Sequence, residues 1–224
     1  MRTVLTLLRK ELLLERKVPQ LVPAMALFSV TTFVVFHFAL QQRDVDGDLA
    51  AGILVVTLLF ATILGINRLY VADREEGGFD AFLLAPVDRT ALGVAKALTL
   101  FAFLVLVEFV MVPAFAILLF GPGVGWELVG KLVLVLAMVN VGLSVIGALV
   151  GALAIQTRAR DLIGPLVALP LLVPVVITAA RALSPVLGAD GPGAMEGQFL
   201  AVLGLYDLVF GLLAYALFDF LLED

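Results

Sequence analysis

Leu132-Val-Leu-Val-Leu-Ala-Met-Val-Asn-Val-Gly-Leu-Ser-Val-Ile-Gly-Ala-Leu-Val-Gly-Ala-Leu-Ala-Ile-Gln-Thr157 runs for 26 residues without Asp, Glu, Lys or Arg. An α-helix needs about 20 such residues to cross the hydrocarbon core of a bilayer. Three more charge-free runs meet that length: Val18–Gln42 (25 residues), Leu49–Asn67 (19) and Leu162–Ala180 (19). Ala97–Gly125 and Gly197–Phe218 also qualify if Glu108 and Asp207 are accepted inside the membrane. The expectation is one all-α transmembrane domain over residues 1–224, with six spans near 18–42, 49–67, 97–120, 132–157, 162–181 and 198–219.

The 62% hydrophobic content and mean hydropathy of +1.15 agree with a bilayer as the main solvent, because soluble domains use roughly 45–50% apolar residues. A transmembrane barrel would show segments of about ten residues with alternating polarity, which these continuous runs lack. The first run follows a charged stretch of 17 residues and is too long for a signal-peptide core, so the N-terminus is read as retained. Eleven of the 14 basic residues fall on the side of the N-terminus, and only Arg43, Lys131 and Arg181 on the other. Basic residues near span ends resist translocation, so both termini are expected in the cytoplasm despite a net charge of −5. With no Cys, disulfides cannot hold an outer loop.

On a helical wheel, Arg2, Arg9, Lys10, Arg16 and Lys17 gather on one side of residues 1–17, with leucines around the rest. This segment should lie along the inner membrane surface. Glu11 and Glu15 interrupt the apolar arc, which would suit an arc that faces protein. A basic flank that only fixes topology is the simpler alternative.

Segment 68–96 is expected to hold a short cytoplasmic amphipathic helix. Phe79, Phe82 and Leu83 stand at i, i+3 and i+4 and form one apolar face. Asp73, Glu75 and Glu76 precede it, where negative charge suits a helix N-terminus; Asp80 lies within it, Pro86 closes it and Arg89 follows. Such a helix between two spans is a mechanical lever. An interfacial helix dipping Phe and Leu into headgroups explains the same residues. The outer connections are short and rich in Gly and Pro, leaving no room for a folded outer domain.

Three ionisable residues fall within spans: Glu108, Asp207 and His37. Such residues usually face a bundle interior or an aqueous path, although hydrogen bonding to neighbouring helices is the simpler explanation of each. His37 is the only imidazole available to haem or a metal. Asn140, Ser144, Gly147 and Gly151 share one helix face, and the two glycines permit close backbone approach to a helix of this chain or of a second copy. Pro165, Pro170 and Pro174 favour a kinked fifth span. Gly125-Trp-Glu-Leu-Val-Gly-Lys131 mimics the start of a nucleotide-binding loop, but Leu132 replaces the Ser or Thr such a loop needs. No catalytic, metal or cofactor site of the chain's own is expected, nor a nucleic-acid partner.

Glu75-Glu-Gly-Gly-Phe-Asp-Ala-Phe-Leu-Leu-Ala-Pro-Val-Asp-Arg89 is similar to the coupling-helix signature of ABC-2-type exporter subunits, departing from it at Gly78 where Ser or Thr is usual. The chain also resembles the CcmB (haem exporter protein B) family over nearly its full length. The resemblance rests on Leu8-Arg-Lys-Glu-Leu12, the coupling segment, Leu143-Ser-Val-Ile-Gly-Ala148, Arg158-Ala-Arg160 and Leu169-Pro-Leu-Leu-Val-Pro-Val-Val-Ile177. It implies a permease in a bacterial inner membrane, with two copies each of the permease and a cytoplasmic ABC ATPase that hydrolyses ATP. It further implies a haem-handling membrane subunit and a periplasmic haem chaperone, released once loaded. One His and one Trp give this chain little with which to hold haem itself. Export of a lipid or small amphiphile is the alternative within transport. An ion-coupled carrier or a passive membrane scaffold stands outside it.

Overall fold

The computed structural model describes residues 2–41, 44–70, 89–121, 125–155 and 160–221, and among them only helices form regular structure. Helix α1 (Arg2–Lys17) is followed by α2 (Leu21–Ala39), α3 (Gly47–Leu69), α4 (Arg89–Phe115), α5 (Trp126–Ile155), α6 (Arg160–Leu183) and α7 (Gly197–Leu221). Helices α2 to α7 are each long and apolar enough to cross a membrane, which makes this a multi-pass all-α membrane protein. The chain passes back and forth between a near end, where α1 lies, and a far end.

Helices α3 and α5 form the interior. Their most apolar windows are 72% and 67% buried, against 11% for α7, which lies at the periphery of the bundle. Small residues let these interior helices approach. A Cβ at Gly147 would stand 2.6 Å from Leu100 and 2.9 Å from Ile66, and one at Gly151 would stand 2.7 Å from the ring of Tyr70. The glycine face of α5 therefore packs on α3 and α4 of its own chain.

Helix α4 starts at Arg89, so Thr90 to Lys96 are helical and do not belong to the connection before it. At the far end α4 passes through Pro113 into a π-helical turn, Ala116–Phe120, closed by a bond from Gly121 N to Ala116 O. Proline removes one ladder donor and π turns re-register the backbone. The helical run ends at Phe120, and carbonyls of its last turn are taken by neighbours: Val45 N donates to Leu119 O at 2.7 Å, and His37 Nδ1 donates to Leu118 O. In α6, Pro174 removes the donor that would meet the Pro170 carbonyl, and the Tyr206 hydroxyl of α7 donates to the adjacent Leu171 carbonyl at 2.8 Å.

Candidate functional site

The residues expected to form the coupling helix, Glu75, Glu76, Phe79, Asp80, Phe82, Leu83 and Pro86, lie outside the described residues, and Arg89 is described only as the start of α4. The frame on either side of that segment is described, and it is built around a lysine.

Lys96 is 1% exposed. A lysine ammonium withdrawn from water needs close partners, because desolvation of an unpaired charge costs several kcal/mol. Its Nζ lies 3.0 Å from Glu11 Oε1 of α1 and donates at 2.8 Å to the Leu69 carbonyl at the end of α3. It also stands 5.3 Å from the centre of the Tyr70 ring, within cation–π range. The carbonyls at a helix C-terminus are unpaired and partly negative, so the Leu69 contact satisfies a group the helix itself leaves open. The Tyr70 hydroxyl donates at 3.0 Å to Ala148 O of α5, and its ring covers Gly151. Lys96 thus draws together α1, α3 and α4, and Tyr70 extends that contact to α5.

Helix α1 is fastened a second time. Glu15 Oε1 accepts from the backbone N–H groups of Gln20, Leu21 and Val22 at 3.1, 2.9 and 2.9 Å. Three of the open donors at the start of α2 are met by a carboxylate from the preceding helix, with favourable charge for a helix N-terminus. The two acids that interrupt the apolar arc of α1 both bind protein.

The intramembrane polar groups sit apart from this frame. Asn140 Nδ2 donates to Glu108 Oε1 at 3.0 Å, joining α4 and α5. Asp207 of α7 approaches Gly142 of α5, where a Cβ would lie 2.7 Å from Asp207 Oδ1. Asn140 Oδ1 and Asp207 Oδ1 are buried without a protein partner among the described residues. Ser144 donates to the Val141 carbonyl of its own helix at 3.0 Å. His37 has its Nδ1 committed to the Leu118 carbonyl and its ring edge-on to Phe38.

At the far end Lys131 Nζ contacts Glu127 Oε1 at 2.6 Å and the carbonyls of Pro192 and Gly193 at 3.2 and 2.9 Å, pinning the α6–α7 connection to α5. Two clefts of about 260 and 330 Å³ open beside Asp44 and Val45. They lie at the lower limit of ordinary small-molecule sites, roughly 300–1,000 Å³, and His37 lines neither. No group of three His, Cys, Asp or Glu side chains suited to a metal occurs among the described residues.

Residues 2–218 match the family model of the CcmB protein. The chain belongs to the CcmB family. Its place is therefore that of a permease component of the haem exporter used in cytochrome c maturation, within an ABC-type complex that includes an ATPase partner, and it is not an enzyme by itself. A comparison with curated proteins gives no match. The six-span fold suits a CcmB permease, and Lys96 joins the helices on either side of the segment expected to couple it.

Proposed function

We propose that this CcmB-family chain transmits ATP-driven movement from its ATPase partner into the membrane bundle. In this reading ATP binding and hydrolysis in a cytoplasmic ATPase dimer push the face made by Phe79, Phe82 and Leu83. Helices α3 and α4 then tilt, the far-end connections rearrange, and the haem-loaded chaperone is released. The complex holds two copies of the permease and two of the ATPase in a bacterial inner membrane, with both permease termini in the cytoplasm. A haem-handling membrane subunit completes it, haem is the cargo, and lipid fills the exposed faces.

The frame around Lys96 is the observation that supports the reading. Its contacts fix the end of α3 and the start of α4, the two helices that flank segment 71–88, to α1, and Tyr70 fixes them to α5. A push on that segment has a rigid path into the interior, since packed helices shift as units and do not deform continuously.

Gentle solubilisation from the native membrane and affinity capture of this chain test the proposal. Recovery of a nucleotide-hydrolysing subunit together with a haem-containing membrane protein is expected. Recovery of the chain alone, with cytochrome maturation intact in the same cells, would overturn it.

A further inference from the structure

Helix α1 carries the charge pattern of a helix that rests on the membrane surface, yet it packs on α4, and two of its carboxylates bind the protein. Glu15 fixes it to the start of α2, and Glu11 fixes it to Lys96. These two attachments differ in kind. The Glu15 contact ties α1 to its immediate chain neighbour and would hold wherever α2 goes. The Glu11–Lys96 contact joins residues 85 apart in sequence and crosses to the helix that follows segment 71–88.

The Glu11–Lys96 pair is well shielded: the Lys96 side chain is 2% exposed and that of Glu11 15%. Screening by water and salt is weak at such a site, so separating the charges is costly and the pair moves as one body. The same ammonium holds the Leu69 carbonyl, so the near ends of α3 and α4 cannot shift without acting on α1.

We propose that Lys96 is the positioning residue that makes α1 a moving part of the coupling apparatus: through Glu11, displacement of the near ends of α3 and α4 is carried to the surface helix, which shifts with them. This rests on the coupling reading above. Helix α1 is then an output of the ATPase cycle and not a passive float.

The chain has no Cys, so introduced cysteines label alone in it. Leu5 is 67% exposed on α1, Val94 36% exposed near the start of α4, and Trp126 91% exposed at the far end. Spin labels at Leu5→Cys with Trp126→Cys report α1 against the far end, and labels at Val94→Cys with Trp126→Cys report α4. Distances are measured in the chain reassembled with its ATPase partner, nucleotide-free and trapped with ATP and vanadate.

Both distances should change on trapping in the wild-type background. In Lys96→Met, and in Glu11→Ala, where Lys96 keeps the Leu69 carbonyl and the Tyr70 ring should the first variant fail to fold, the Val94 change should persist and the Leu5 change should fall by at least half. An unaltered Leu5 change in Glu11→Ala would overturn the role of the pair while leaving the coupling reading standing. No change of either distance in the wild-type background would overturn the coupling reading itself, and this inference with it.

Discussion

The ring of Tyr70 lies so close over Gly151 that a single added carbon there would stand 2.7 Å from Tyr70 Cε2. The last residue before segment 71–88 is thereby seated in a notch of the central helix. Gly151→Ala should strain this contact, and overpacking of this kind costs about 1–3 kcal/mol. Gly130→Ala, with nothing within 4 Å of the added carbon, supplies the comparison on the same helix. Thermal unfolding in detergent should show a lowered midpoint for the first variant and none for the second; equal behaviour would contradict the notch.

Removing only the Tyr70 hydroxyl separates packing from hydrogen bonding. Tyr70→Phe keeps the ring over Gly151 and loses the bond to Ala148 O. A loss of roughly 0.5–1.5 kcal/mol is expected, smaller than that of Gly151→Ala, by the same unfolding measurement.

Glu15 caps α2 from outside that helix. Glu15→Ala should cost about 0.5–2 kcal/mol, as loss of a helix cap does, and Glu15→Gln should retain most of it because an amide oxygen still accepts. Hydrogen exchange at the amides of Gln20, Leu21 and Val22 should accelerate in the alanine variant alone. Unchanged protection there would exclude the cap.

Glu108 and Asp207 distinguish a coupling device from an ion-driven carrier. The unpartnered Asn140 Oδ1 and Asp207 Oδ1 are the features a carrier would use. Under the coupling account, the double variant Glu108→Gln with Asp207→Asn keeps its helix contacts in neutral form and retains most of its support of cytochrome c maturation. Loss of maturation with normal membrane insertion would favour the carrier.

The bilayer made the six spans legible, because it demands long apolar helices whatever their neighbours. The Gly147 and Gly151 spacing announced a close contact but not its partner, since Ile66, Leu100 and Tyr70 come from distant parts of the chain. By its charge Lys96 reads only as one of the eleven basic residues on the N-terminal side. Yet it stands in register with Leu92, Thr99, Leu100 and Phe103, which are buried on the same side of α4, and that periodicity was visible. The Glu15 cap leaves no comparable trace, because it reaches across a turn and follows no capping-box spacing. The interruption at 116–120 was foreshadowed only by Pro113 and Gly121.

In the proposed function, segment 71–88 couples ATP hydrolysis to the bundle. ATP turnover and holocytochrome c yield, measured side by side for complexes with the wild-type chain and with Phe82→Asp, test it most directly. A charge in the apolar docking face should leave insertion and complex abundance near normal while yield falls at least tenfold and turnover no longer tracks it. Normal yield with normal turnover in Phe82→Asp would contradict the claim.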